Sequence, residues 1–343
     1  MMCSRVVFRC FKTLERLGDR LTGAAGPFFV AFAVILIGLG IVCFFDVVMP
    51  SLPWPLISGP LCVLIALNLV MHYYYVVTVS PGFVEDPPRE PKDSVFWASK
   101  RRQKEGKLTG VRWSNELVIT RATVTKCRKC GQSKPERTHH CRICNRCVLK
   151  YDHHCPCAYP SIAYDIALRY PGVNQCVGLH NERHFVMFMA YLVFSCFSLC
   201  ITGFPHLDWP HHVPQIAFVL EYILAVVMFL AVGIMCSYHL WTIAHGETTV
   251  ESHDHEVYRR IAKSRDESFV NSYDLGKRRN LELFFNIGQN GYPLYTLILP
   301  LRINPYTDGR SWARREGYEQ HRGVRRGEEL TDEDDDDDQE EGA

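Results

Sequence analysis

Tyr151-Asp152-His153-His154-Cys155-Pro156 lies inside a segment, Cys127 to Cys176, that holds eight of the chain's 15 cysteines. Around it run three C-x-x-C pairs, Cys127–Cys130, Cys141–Cys144 and Cys144–Cys147, interleaved with histidines. Each pair can place two thiolates on one ion, and a structural zinc takes four ligands in a tetrahedron, usually cysteine with one or two histidines. Eight candidates, Cys127, Cys130, His140, Cys141, Cys144, Cys147, His154 and Cys176, therefore imply two closed zinc sites. Spacing alone leaves open which ligand serves which ion. The interleaved histidines favour zinc in a reducing compartment over a secreted disulfide framework. Little apolar sequence surrounds these residues, so metal rather than a hydrophobic core is expected to hold the segment's shape. A hydrolytic zinc with an open position is disfavoured, because enough protein ligands exist to close both sites.

Cys155 is left over once both sites are filled. A free thiol is mostly protonated at neutral pH and needs a base or a positive field to become a nucleophile. His153 lies two residues back. In a locally extended chain alternate residues share a face, so His153 and Cys155 point one way while His154 turns towards metal. Asp152 can then orient His153 and stabilise its charged form, the arrangement of an activated nucleophile. The competing reading makes Asp152 and His153 mere supports for the metal ligands.

Outward from this segment, four apolar runs stand out: Pro27–Phe45, Leu56–Val79, Phe185–Phe204 and Ile216–Trp241. Each is long enough to cross the hydrocarbon core as a helix. Only Glu221 is charged within the fourth run, near its start, where it is expected at the interface. All 38 Lys and Arg fall in residues 1–20, 89–183 and 259–326, and the loops 46–55 and 205–215 contain none. That alternation satisfies the positive-inside rule and places both termini and the cysteine segment in the cytosol. The expected fold is an all-α polytopic membrane protein, with four transmembrane helices and a cytosolic two-zinc cysteine-rich domain between spans two and three. Both ends of that domain are tied to spans, so Cys155 is expected near the bilayer surface, where a fatty chain could lie among the helices.

The chain divides accordingly into a basic N-terminus (1–26), helices one and two (27–79), connector and cysteine-rich domain (80–184, its zinc part 127–184), helices three and four (185–241) and a tail (242–343). Residues 1–26 read as a basic, amphipathic membrane-surface helix, carrying Cys3 and Cys10. A short helix is expected near 94–107. The tail segment Asn280–Gly288 reads as an amphipathic helix capped by Gly288. Glu328–Glu341 is acidic low-complexity sequence, expected to be disordered.

The residues Cys127-x-x-Cys130, Lys134-Pro135-x-Arg137-x-x-His140-Cys141, Cys144, Cys147, Asp152-His153-His154-Cys155-Pro156 and Cys176-Val177-Gly178 resemble the DHHC family of protein S-acyltransferases (palmitoyltransferases). The resemblance covers roughly residues 27–290. It implies two steps: Cys155 takes an acyl group from acyl-coenzyme A, palmitoyl-coenzyme A above all, then passes it to a membrane-proximal cysteine of a protein substrate. His153 would be the base and Asp152 its partner. It assigns Cys127, Cys130, His140 and Cys147 to one structural zinc and Cys141, Cys144, His154 and Cys176 to the other. Lys134, Arg137 and His139 would meet the coenzyme A phosphates, in keeping with their charge. Thr248-Thr249-Val250-Glu251 matches the family's TTxE motif, with Thr249 bracing Asp152, and Asn286 would fix a nearby loop. The tail through Asn304-Pro305-Tyr306 and Trp312 resembles that of an endoplasmic-reticulum member. An endomembrane location, endoplasmic reticulum or Golgi, with the bilayer and protein substrates as partners and no nucleic acid, is the expectation.

Two departures from the family pattern stand out. Ser80-Pro81-Gly82 replaces Asp-Pro-Gly, and a serine can still cap that turn. After Pro156, Cys157 stands where the family has tryptophan, and about fifteen extra residues run to Gly172 before Val173-Asn174-Gln175-Cys176. Residues 157–172 are read as a translated intron. A TGT codon at Cys157 supplies the donor GT, and CCA-GGG at Pro171-Gly172 completes an acceptor AG. Excision in frame restores Cys-Pro-Trp-Val-Asn-Gln-Cys. Retained, the longer loop costs on the order of 1 kcal/mol and still allows zinc to bind. Losing the tryptophan beside the nucleophile makes a catalytically impaired, membrane-anchored zinc-binding adaptor the alternative function. A RING-like ubiquitin ligase also interleaves Cys and His around two zincs, but leaves Cys155 and its Asp-His neighbours without purpose.

Overall fold

The computed structural model describes residues 18, 25–87, 97–98, 118–155, 176–207, 212–288 and 291–325. The expectations of a basic N-terminal helix, of a helix near 94–107, of an inserted segment 157–172 and of a disordered acidic terminus fall on residues outside or almost outside them.

Four long helices span the membrane: α1 (Ala25–Ser51), α2 (Pro55–Thr78), α3 (Glu182–Gly203, continued by a 3-10 turn to His206) and α4 (Gln215–Ala244). Proline sets several of their ends, because it cannot donate to a preceding carbonyl but tolerates the first turn. Pro55 opens α2, and Pro214 is the N-cap of α4. Three of the helices, α1, α3 and α4, outrun the apolar runs that signal them. At the start of α3, Glu182, Arg183 and His184 are all buried, Glu182 by an ion pair to Lys150 (2.6 Å) and Arg183 by donating to Thr296 O (2.7 Å). Helix α3 packs between α2 and α4. Large apolar side chains, including Phe28, Ile35, Leu56, Ile201, Ile216 and Ile234, point away from the protein, as lipid-facing positions should.

Between α2 and α3 lies a domain of short antiparallel ladders: β2 (Val124–Lys126) with β3 (Ser133–Pro135), β4 (His139–Cys141) with β5 (Arg146–Val148), and β6 (His153–His154) with β7 (Cys176–Val177). The strand preceding them, β1 (Val118–Arg121), pairs with β8 (Ser311–Arg314) from the far end of the tail. Trp312 of β8 is fully buried in a cluster with Cys127, Cys147, Leu149, Leu179 and Tyr273. The tail is thus part of the cysteine domain's core, which no period in the sequence could announce.

Helix α5 (Thr249–Ser264) begins with a capping box, Thr248 accepting from Glu251 N and Glu251 accepting from Thr248 N. Helix α6 (Lys277–Phe285) ends one turn before the expected place. Asn286, at φ 51°, takes the left-handed position, and Gly288 lies outside the helix. Ser80 does cap its turn, its Oγ accepting from Gly82 N (3.3 Å) and donating to Asp86 Oδ2 (2.9 Å). Gly82 has φ 98°, and a Cβ there would meet the His180 ring at 2.6 Å.

Candidate active site and metal clusters

The ladders sort the eight expected ligands into two groups. Side chains alternate along a strand, so the neighbours His140 and Cys141 on β4 leave on opposite faces. His140 joins Cys127, Cys130 and Cys147; Cys141 joins Cys144, His154 and Cys176. Cross-strand register completes each group, with His140 opposite Cys147 and His154 opposite Cys176. Asn145 (φ 52°) supplies the left-handed residue of the β4–β5 turn.

Both groups have the dimensions of a structural zinc site. In the first, His140 Nδ1 is 3.7 Å from the sulfurs of Cys127 and Cys147, and Cys130 Sγ is 3.4 Å from Cys147 Sγ. In the second, His154 Nδ1 stands 3.5–3.6 Å from Cys144, Cys141 and Cys176, and Cys144 Sγ is 3.3 Å from Cys176 Sγ. Sulfurs at these separations are too far apart for a disulfide of about 2.05 Å. A tetrahedron with arms of about 2.3 Å to sulfur and 2.0 Å to nitrogen has edges of roughly this length. All eight cysteine and histidine donors are used, so each group fits a closed, structural ion.

Next to the second cluster, a row of hydrogen bonds runs through Asp152. His153 Nδ1 donates to Asp152 Oδ2 (2.7 Å), while Thr249 N and Oγ1 donate to Asp152 Oδ1 (2.8 and 2.9 Å). Thr249 Oγ1 also lies 2.9 Å from the Asp152 carbonyl. Burial by itself would raise the carboxyl's pKa. The hydrogen bond and charge of His153, with help from His239 and Thr249 N–H, bring it down to about 2. With Nδ1 committed to Asp152, the other ring nitrogen of His153 is the one able to accept a proton. The His153 ring meets Phe185 edge-on at 5.0 Å, and Cys155 packs against the apolar cluster that Phe185 shares with Val177, Val186 and Met189. His153 and Cys155 therefore both face the apolar cluster at the cysteine-domain ends of the spans, while His154 turns to the metal group.

The remaining expected residues are dispersed. Lys134 is buried on β3, and His139 on β4 lies beside the Tyr151 ring (6.1 Å). Arg137 is turned inward. Its Nε and Nη2 donate to the two Glu251 oxygens (2.6 Å each), Nη2 also to Gly246 O (3.1 Å), and its guanidinium stacks on Tyr273 and Trp312. Burial would raise the Glu251 carboxyl, but Arg137 overrides it and holds it down to about 2. Asn286 Nδ2 donates to Asn304 O (2.7 Å), joining the end of α6 to the returning tail.

One residue of this site was not among those expected. His239, buried in α4, brings Nδ1 to 3.6 Å from Asp152 Oδ2 and its ring to 5.7 Å from that of His153. A histidine inside an apolar span was the available signal. The four spans also line a cavity of about 390 Å³ with apolar side chains from each, where a fatty chain was expected to lie among the helices. Glu221, 8% exposed, lines it rather than sitting at the interface. Phe188 lines its near end and also packs against the cluster that holds Cys155.

Comparison with known proteins adds an independent view. A family model described as DHHC palmitoyltransferase matches residues 122–165 and 171–256. The palmitoyltransferase ZDHHC16 of Mus musculus is 27% identical, over 88% of this chain and 78% of its own length. ZDHHC16B of Danio rerio is 28% identical, over 90% and 83%. A probable protein S-acyltransferase 15 of Arabidopsis thaliana reaches 31% over 49% of this chain and 62% of its own.

Proposed function

Because the chain belongs to the DHHC palmitoyltransferase family, we propose that it moves a long-chain fatty acyl group from acyl-coenzyme A, through a thioester on Cys155, to cysteines of membrane-associated proteins. The observation that supports this most is the row Thr249–Asp152–His153, ending beside a cysteine that neither metal cluster uses. Thr249 holds the Asp152 carboxylate, and Asp152 holds the imidazole with its free nitrogen ready for a proton. His153 takes the Cys155 proton, and the thiolate sulfur attacks the thioester carbonyl carbon. The new carbon–sulfur bond forms, the bond to the coenzyme A sulfur breaks, and the departing thiolate receives the proton from His153. In the second step His153 deprotonates the substrate cysteine, whose sulfur takes the acyl carbon while Cys155 leaves. One thioester replaces another each time, so no oxidant or energy source is needed. Zinc in the two clusters supplies rigidity and no chemistry.

The interior cavity suits the acyl chain: it is apolar, lies within the spans and begins at Phe188 beside the Cys155 cluster. Lys134 and His139 are assigned to the coenzyme A phosphates; Arg137, expected beside them, is instead committed to Glu251. The cysteine domain and both termini are assigned to the cytosol, on an endoplasmic-reticulum or Golgi membrane.

Purified protein incubated with labelled palmitoyl-coenzyme A is expected to retain hydroxylamine-labile label, and Cys155→Ser to retain none. Equal labelling of both would overturn the mechanism. A second reading, an impaired zinc-binding adaptor, draws on the family model skipping residues 166–170 inside the segment read as intron-derived. Amplifying the transcript across codons 155–176 separates the two. A spliced product restoring the tryptophan is expected, and a uniformly unspliced message would remove the intron reading.

A further inference from the structure

Beyond α6 the tail returns to the spans, and side chains of α2 and α3 receive it. Arg183 Nη2 donates to Thr296 O (2.7 Å), Tyr191 Oη to Leu297 O (2.9 Å), Asn68 Nδ2 to Ile298 O (2.7 Å) and Tyr75 Oη to Pro300 O (3.1 Å). Four of five consecutive carbonyls thus meet a donor on a membrane-spanning helix. The segment's own 3-10 turn satisfies its amides: Thr296 N donates to Pro293 O (3.1 Å), and Ile298 N and Leu299 N donate to Tyr295 O (3.0 and 2.8 Å).

The positions of those donors set its depth. Arg183 is in the first turn of α3 and Tyr75 in the last turn of α2, both at the ends nearest the cysteine domain. Tyr191 and Asn68 lie farther in, roughly 14 and 15 Å along their helices from those ends at 1.5 Å rise per residue. The backbone therefore enters beside Arg183, is deepest at Leu297–Ile298 and rises again by Pro300. Arg302 then stacks on Trp97 (4.8 Å) on the way out.

Four apolar side chains on this segment face away from the protein: Leu294 (66% exposed), Tyr295, Ile298 (55%) and Leu299. Thr296 points inward and is fully buried. Non-helical backbone survives at membrane depth only where protein meets its polar groups. Here both halves of that condition hold, with donors on the inner side and apolar side chains on the outer.

We propose that residues 293–300 are a re-entrant element that enters the bilayer from the cysteine-domain side and turns Leu294, Tyr295, Ile298 and Leu299 to lipid acyl chains. The neighbouring surface is that of the spans themselves, whose exposed apolar residues continue it, so lipid is the occupant. The element fixes the tail in the membrane shortly before β8, which carries Trp312 into the cysteine domain's core.

The full-length protein, in unsaturated phosphatidylcholine vesicles at low protein-to-lipid ratio, would carry a genetically encoded nitroxide at Leu294 or Ile298. Ile234 on the lipid face of α4 and Glu319 on the exposed tail serve as references. Collision rates with oxygen and with an aqueous nickel chelate are then compared. The oxygen-to-nickel ratio at both test positions is expected to approach that at Ile234 and exceed that at Glu319 several-fold. A ratio like that of Glu319 would place the segment in water. Low collision with both reagents would mean a protein partner covers it. Either result overturns the proposal. In Asn68→Leu the ratio at Ile298 is expected to fall while that at Ile234 stays constant, which also reports that the spans remain folded. No change at Ile298 would overturn the claim that span donors hold the segment at depth.

Discussion

The two Cys/His clusters use the same donor set, three cysteines and one histidine, but are built differently. The first closes between Cys127 and Cys147, from two adjacent hairpins. The second draws Cys176 back across the long segment after Pro156 and takes as its histidine the residue between His153 and Cys155. One cluster therefore braces a local platform, while the other grips the strand that leads into Cys155. Loss of the first should loosen the domain; loss of the second should also displace the reacting groups.

The largest expected effect tests that difference directly. His154→Ala and Cys176→Ser should each lower zinc content from two ions to one per chain and reduce acyl-enzyme formation by about 100-fold or more, as small misplacements of reacting groups do. Cys130→Ser should lose one zinc as well but keep a larger share of the rate. Zinc by mass spectrometry and single-turnover labelling measure the two quantities, and equal rate losses would break the comparison.

Next comes the ion pair that ties the first cluster's side of the domain to α5. Glu251→Gln leaves the buried Arg137 without its counter-charge and should cost about 3–5 kcal/mol. The sign of its pH dependence follows from a depressed carboxyl pKa of about 2. The folded pKa lies below the unfolded one, so the stabilisation is complete above the unfolded value of about 4.3 and fades as pH falls towards the folded one. The melting-temperature gap between wild type and Glu251→Gln should be constant from pH 8 to about 5 and narrow below that. A gap that widened in acid would refute the assignment.

Thr249→Ala removes one hydroxyl that reaches both Asp152 Oδ1 and the Asp152 carbonyl. A hydrogen bond to a charged group is worth about 1.5 kcal/mol, or roughly a tenfold fall in acyl-enzyme rate, with both zincs retained. Zinc loss in this variant would show that Thr249 supports the second cluster rather than the carboxylate.

The smallest effect sharpens the comparison from the other side. Deleting residues 158–172 together with Cys157→Trp shortens the loop that closes the second cluster. Loop entropy changes slowly with length, so zinc retention against a chelator should shift by no more than about 1 kcal/mol. A gain of several orders of magnitude would mean that the long loop strains the cluster.

How far the site could be read from the chain depended on the kind of link involved. Short-range links were legible: C-x-x-C spacing is a property of neighbours, and so is the Asp-His pair at 152 and 153. The sorting of His140 and Cys141 to different clusters required the strand that alternates them. Arg137 illustrates the opposite case. Its charge beside other basic residues suggested phosphate, but burial between Glu251, Tyr273 and Trp312 engages it from partners more than a hundred positions away. His239 stood out as a histidine in an apolar span, but nothing local to α4 names its partner, a carboxylate on a different element.

The sequence by itself determined the four spans, the metal-ligand set and the spare thiol, because apolar length and ligand spacing act through covalent neighbours. Tertiary structure alone decided the rest. Pairing of β1 with β8 made the tail part of the cysteine domain, and the span donors drew residues 293–300 back against α2 and α3. Such contacts join groups that the chain leaves far apart, and they persist because buried carbonyls and charges cost too much free energy to leave unpaired.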